Sequence, residues 1–411
     1  MSPPPPPPPL SPVTVDLWSS SSFAHGHPHD QYAQLRREAP VYRHDEPGGR
    51  GFWAVTKYHD VKNVGKDAAT FSSVPVMTIA DLPAEMQESS SHVLMCMDPP
   101  KHTRHRMLVN RSFTPRNIEA MSDRIDAMAA QVVDRVCERG ECDFVEDVAG
   151  MLPSYVIADL LGIPLDDGVR LYSLTEVMHA APDAVSGEAR AAAGTEMLAY
   201  AAEVMGTKQR VPGDDLATQL VNSEVDGDRL SEADFLSFFL LLVNAGGDTT
   251  RHLAAGGMHT LFEVPDQRVL LQSRLDDLLP LAVEEMLRYV SPVVYQRRTA
   301  TRDTVLAGEH IRAGDKVVMY YASANRDEDV FERADEFDVQ REPNDHVAFG
   351  GGGPHFCLGA HIARLEIRSL FRQLLQRLPD IERAGETQWN GSNFTCGPSH
   401  LRVRFTPQRA G

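Results

Sequence analysis

Hydrophobic and polar positions change period several times along the chain. Between residues 40 and 80 the runs APVYRH and GFWAVTKY gather aromatic and β-branched residues in short bursts, which predicts brief strands. From about Thr114 to Phe262 the spacing turns helical. Within it, NIEAMSDRIDAMAAQVVDRVCERG reads as one amphipathic helix closed by Gly140. Short strands are predicted again from Thr299 to Asp315, and HLRVRFTP near the end of the chain reads as another. No internal repeat and no linker interrupts residues 16–411. They are expected to form one domain, mainly α with a small β component.

The most informative element is EADFLSFFLLLVNAGGDTTRHLAAGGMHTLFEVPDQ, which follows Leu230 and Ser231. Ser231 with Asp234 predicts a capped start, and Pro265 predicts the stop. Roughly 30 residues at a rise of 1.5 Å give a helix of about 45–50 Å, enough to cross a domain. Its first half is apolar on nearly every face and must be buried. Its middle nevertheless holds Gly246, Gly247, Asp248, Thr249 and Thr250. A buried helix avoids such residues, glycine costing about 1 kcal/mol each. Two readings fit. One is a break between two shorter helices; the other is a bend that brings backbone close to a ligand and opens a polar pocket in a dry core.

Three further stretches carry candidate chemistry. PLAVEEMLRYVSPV sets Glu285 and Arg288 on one face of a helix that ends before Pro292, with Arg297, Arg298 and Arg341 following. An isolated ExxR is more often a surface ion pair. DPPKHTRHRMLVNRSF places His102 and Arg106 one turn apart; a solvated basic face explains them, whereas cations facing inward need an anion. AFGGGGPHFCLGAHIARLE, residues 348–366, puts a run of glycines, a proline and a histidine ahead of one cysteine and a helix. A glycine-rich loop can cradle phosphate, but no Lys-Ser/Thr follows and Pro-His-Phe intervenes, so a nucleotide loop is rejected. No evident dyad partner accompanies Cys357 as a nucleophile. A third reading makes Cys357 an axial ligand to heme iron. Glycines then let the backbone lie flat against a large ring, and N–H groups at the helix start hold the thiolate.

Composition narrows the class. Acidic residues number 58 against 40 basic ones, a net charge of −18 that argues against nucleic acid as the main partner. The cysteines Cys96, Cys137, Cys142, Cys357 and Cys396 include no CxxC pair, which disfavours a disulfide framework or a zinc site and fits a reduced, cytoplasmic setting. The opening MSPPPPPPPLSP lacks the basic and apolar regions of a signal peptide and reads as a disordered, proline-rich tail over residues 1–15. The longest apolar run, FLSFFLLLV, is too short to span a bilayer, so no membrane anchor is expected.

Taken in order, AGGDTT (245–250), EMLR (285–288), an arginine near the next strand and FGGGGPHFCLG (349–359) resemble the motifs of bacterial cytochromes P450, heme-thiolate proteins. The resemblance runs from about residue 30 to the C-terminus. It implies the cytochrome P450 fold, with a long distal helix over heme b and a Cys-ligand loop leading into a proximal helix. Carried over residue by residue, it implies Cys357 as the iron ligand and Phe349, Ala245 and Gly359 as heme contacts. It places His102, Arg106, Arg298 and His355 at the propionates, Arg298 being preferred to Arg297 on its spacing to TATRD. Glu285, Arg288 and Arg341 resemble the structural triad that braces the heme-binding face, and Asp248 with Thr249 the acid–alcohol pair of the distal helix. One departure stands. Phe349 precedes Cys357 by eight positions, where the family's commonest spacing is seven; members resembling sterol-chain and linalool hydroxylases share the longer loop. GGDTTRH and SANRDEDVF also resemble the sterol-chain group.

The resemblance implies a monooxygenase that inserts one oxygen atom of O2 into a C–H bond, or epoxidises, a hydrophobic terpenoid or steroid-like substrate. Electrons from NAD(P)H are expected through a separate ferredoxin and ferredoxin reductase, because the chain shows no flavin or iron–sulfur motif. Lys101, Arg104, Arg106 and Arg111 form the basic stretch expected to meet an acidic ferredoxin. A monomer is expected. Val93, Leu94, Leu241, Ala245, Val293, Val294 and Phe394 are expected to line an apolar pocket. Two rivals remain: a peroxygenase driven by hydrogen peroxide, against which Asp248–Thr249 speaks, and a non-catalytic heme-binding sensor.

Overall fold

Phe52–Val55 and Lys316–Tyr320 pair in parallel at the heart of a five-stranded sheet, although they are far apart in sequence. The full order is Val41–His44, Phe52–Val55, Lys316–Tyr320, Tyr295–Ala300 and Phe71–Ser72, every other pairing being antiparallel. The structure, a computed structural model, describes residues 15–83, 86–110, 112–179, 185–225 and 228–410. The proline run and Arg111 lie outside the described residues. Strand expectations for residues 40–80 are met. The β region expected at Thr299–Asp315 is wider, running from Tyr295–Ala300 through the hairpin Thr304–Leu306/Glu309–Ile311 to Lys316–Tyr320. The reason is burial on both faces: Tyr295 to Arg298 and all of Lys316–Tyr320 are covered, so no period-two alternation marks them. HLRVRFTP supplies Arg402–Arg404, the middle strand of a small sheet with Glu382–Arg383 and Glu141–Asp143.

Helices form the rest. The segment expected as one amphipathic helix is two, Pro115–Glu119 and Ser122–Cys137, and Ile118, Met121 and Ile125, spaced as on one helix face, are all buried in the core. The long helix runs from Glu232 to Glu263 without a break. Its start is capped as expected: the Asp234 N–H donates to Ser231 Oγ at 3.1 Å. Packing, not a break, accounts for its central glycines. A Cβ on Gly246 would stand 2.5 Å from Ile157 Cδ1, and one on Gly247 3.1 Å from the Tyr172 ring. Those neighbours belong to helices Met151–Leu161 and Leu165–His179, which pack on the long helix, as do Leu275–Val290 and Ala360–Arg377. Phe235, Phe238, Phe239, Met258, Leu279, Met286 and Phe371 are among the buried residues of the main core, each such side chain contributing about 1.5–3 kcal/mol. Among the described residues no single helix is long and apolar enough to cross a membrane.

Candidate functional site

The glycine loop is packed rather than slack. Gly353 has φ +80°, and a Cβ there would stand 2.3 Å from the Gly65 carbonyl oxygen; one on Gly351 would stand 2.9 Å from Val61 O. The loop therefore lies flat on helix Tyr58–Lys66, and its end is pinned where the Cys357 N–H donates to the Phe349 carbonyl at 2.9 Å. Cys357 alone among the cysteines is not fully buried. Desolvation pushes its thiol up, while the Gly359 N–H, Arg106 and Arg364 favour the thiolate. Arg364, on helix Ala360–Arg377, covers the Phe349 ring at 4.6 Å.

A cation cluster stands near the loop. His102 is 1% exposed, and neither ring nitrogen has a hydrogen-bond partner. Its ring centroid lies 4.1 Å from that of His355, whose Nε2 is 2.9 Å from Ser73 Oγ and 3.0 Å from the Met97 carbonyl. Burial and neighbouring cations hold His102 at about 4 and His355 at about 2, so both imidazoles are neutral at pH 7. Arg298 is buried and makes no ion pair among the described residues; its Nη1 donates to the Arg297 carbonyl at 2.9 Å. Strand alternation sends Arg297 the other way, to Asp81 at 2.7 Å and the Ile79 carbonyl at 3.1 Å. Arg106 turns inward to the Pro354 carbonyl at 3.0 Å, so it does not belong to a surface patch. Asp98, the carboxylate nearby, is engaged by the Ser73 N–H at 2.8 Å and by Ser72 Oγ. Two arginines and an unpartnered, desolvated imidazole call for an anion. The carboxylates of a heme, with the ring iron at Cys357, fit this donor set.

On the long helix, the face bearing Leu241, Ala245 and Thr249 is uncovered: Ala245 is exposed and the other two half-buried in the middle of a core element. Asp248 is buried, and its Oδ1 is 2.8 Å from Arg251 Nη2 and 3.3 Å from His252 Nε2. Arg251 Nη1 reaches Glu176 Oε1 at 2.6 Å, tying the acid to helix Leu165–His179. Sequence reasoning missed this chain of contacts, since Glu176 and Arg251 are remote in sequence.

Glu285 and Arg288 are both fully buried, not a surface pair. Arg288 contacts both carboxylate oxygens, at 2.8 and 2.7 Å, and Arg341 Nε stands 3.1 Å from Glu285 Oε1. Arg288 also donates to the carbonyls of Asn325, Ala334 and Glu336 at 2.7–2.9 Å, clamping that irregular segment to the helix. The adjacent Glu284 was overlooked. It takes Arg364 at 2.6 and 2.8 Å and His346 at 3.1 Å, which hold its carboxyl at about 2 against burial. The doubled EE was the available signal. Among expected pocket residues, Val93, Val293 and Phe394 are half-buried. Leu94 belongs to the main core. Val294 is a correction: it is 0% exposed, packed with Tyr295 and Val318 behind the sheet, and is core.

Comparison with known proteins points to one family. A family model described as Cytochrome P450 matches residues 4–189 and 195–379. The steroid C26-monooxygenase of Rhodococcus jostii is 36% identical over 410 residues, covering 97% of this chain and 86% of that protein. The methyl-branched lipid omega-hydroxylase of Mycobacterium tuberculosis is 40% identical over 388 residues, covering 91% and 90%. Among solved structures, a Mycobacterium marinum cytochrome P450 in complex with pseudoionone superposes with a TM-score of 0.90 at 38% identity, covering 97% of this chain and all of that one.

Proposed function

The chain belongs to the cytochrome P450 family, and from that premise we propose that it hydroxylates a C–H bond of a steroid side chain, a branched lipid or a terpenoid-like molecule. As a member of the family it is a heme-thiolate monooxygenase that uses O2. The observation that carries the reading is His102, desolvated and unpartnered between Arg106 and Arg298 beside the Cys357 loop.

Cys357 would hold the iron, and His102, Arg106, Arg298 and His355 the propionates. Bound through a thiolate, heme supplies oxygen activation, since sulfur donates electron density to the metal. Burial raises the Cys357 thiol, and against it the Gly359 N–H and Arg106 favour the thiolate that ligation needs. Glu285, Arg288 and Arg341 brace the segment behind this loop. On the opposite helix Asp248 takes up protons at its carboxyl, with Arg251 and Glu176 linking it to the surface. Thr249 gives its proton to the backbone, so its oxygen accepts a hydrogen bond from water in the pocket. Leu241 and Ala245 keep that face apolar for the substrate.

Two electrons arrive from a ferredoxin and its reductase, in the cytoplasm. The test compares turnover of a sterol or branched lipid under NAD(P)H, ferredoxin and reductase with turnover under hydrogen peroxide alone. Product formed only with the electron-transfer system supports the proposal. Equal product with peroxide alone favours a peroxygenase, and no product with either removes the sterol and branched-lipid substrate class.

A further inference from the structure

Asp248 has a second neighbour one turn along the helix. His252 is wholly buried, and its Nε2 lies 3.3 Å from Asp248 Oδ1 and 3.3 Å from Asn390 Nδ2. The Asn390 amide cannot turn over without loss. Its Nδ2 donates to the Thr395 carbonyl at 2.8 Å, and its Oδ1 accepts the Ser392 N–H at 3.4 Å. An amide N–H therefore points at Nε2 and asks it to accept, while the carboxylate asks it to donate. A single ring nitrogen cannot do both in one neutral tautomer. The ring has no room to resolve this by moving: its Nδ1 has no partner, and a Cβ on Gly397 would stand 2.4 Å from it.

We propose that His252 is the positioning residue for Asp248. Its Nε2–H holds Oδ1 from the buried side, while Arg251 holds the same oxygen from the surface side. Asn390 competes for Nε2 and keeps that hold weak enough to release as the carboxyl gains and loses protons. The contact also ties Asp248 to the turn Asn390–Thr395, which carries Phe394. This rests on the reading of Asp248 as a proton-delivery acid.

The test uses the holoenzyme with substrate, as His252→Phe, which keeps a ring and removes both nitrogens, and His252→Gln, which restores an amide donor. His252→Phe is expected to lower turnover by roughly tenfold, short of the 10²–10⁴-fold for losing a transfer group outright. It should raise the peroxide share and the solvent deuterium isotope effect, with the substrate Kd within twofold of the parent. His252→Gln should recover most of each. In the parent, 15N-histidine spectra of the diamagnetic ferrous carbon monoxide form should show a protonated His252 Nε2 that shifts on Asp248→Asn. The inference is overturned if His252→Phe keeps the parental coupling and isotope effect, or if His252→Gln is no better than Phe. It is equally overturned if Nε2 is bare and indifferent to Asp248→Asn, a readout that decides the matter even where His252→Phe does not fold. Asp248→Asn run in parallel separates the two layers. If it slows turnover while the His252 variants do not, only the positioning role falls; if it too changes nothing, the reading of Asp248 falls.

Discussion

The Thr249 hydroxyl donates to the Ala245 carbonyl, 2.8 Å away and one turn back on the long helix. A threonine bonded this way is satisfied without any ligand, yet it sits on the uncovered face beside exposed Ala245. Thr249→Ala is expected to leave substrate affinity and the reduction rate unchanged while peroxide replaces most of the product. Measuring NAD(P)H consumed, peroxide released and product made checks this. Product matching NAD(P)H in the variant would confine the hydroxyl to helix satisfaction.

Burial raises the Cys357 thiol as it raises Cys96 to about 11 and Cys142 and Cys396 to about 12, but at Cys357 the Gly359 N–H and two arginines, Arg106 and Arg364, oppose it. Cys357→Ser should abolish the long-wavelength absorption of the ferrous carbon monoxide complex. Persistence of that band would move the ligand to another cysteine.

Arg288 satisfies Glu285 and three backbone carbonyls in a site with no solvent. Lysine cannot reproduce that fork, and breaking a buried pair costs about 3–5 kcal/mol. Arg288→Lys should lose heme content and lower the Tm well beyond a surface control such as Arg274→Lys. An unchanged Tm is incompatible with the bracing role.

Glu366 lies in helix Ala360–Arg377, fully buried, with no partner for Oε2, and desolvation raises its carboxyl from 4.5 to about 8. In the unfolded chain the proton leaves near pH 4.5, whereas the native state keeps it to about pH 8. The native state thus binds the extra proton in that window, and its stability falls as pH rises through it. Glu366→Gln removes the penalty. Its advantage in unfolding free energy, measured by urea titration, should be absent at pH 4.5 and grow toward pH 8, by up to about 1.4 kcal/mol per pH unit. A pH-independent difference would contradict it.

Much of this arrangement was legible because it is local. Ser231 and Asp234, Glu285 and Arg288, and Cys357 with its glycines are each within a few residues, and local spacing reports on local geometry. Arg298 is preferred to Arg297 on its spacing to TATRD, and in the structure the strand sends the two to opposite faces. What was illegible is joined through space: Glu176 to Arg251, Arg364 to Glu284, Asn390 to His252. The central glycines misled in one respect. They read as a possible break, but the neighbouring Ile157 and Tyr172 that require them are invisible in a linear pattern. The strand Lys316–Tyr320 escaped for a related reason, since burial on both faces erases alternation.

The glycine loop has a genetic consequence. What Gly351 and Gly353 would strike, if they carried a side chain, is main chain: Val61 O and Lys62 Cα for one, Gly65 O and Lys66 Cα for the other. A clash with a side chain can be relieved by shortening that side chain elsewhere in the gene. A clash with main chain cannot, because every codon supplies the same backbone atoms. Suppressor selection starting from Gly353→Ala should therefore return true revertants in place of compensating second-site changes. At Gly256, where the obstacle is the Val290 side chain, second-site rescue by a smaller residue at 290 is open.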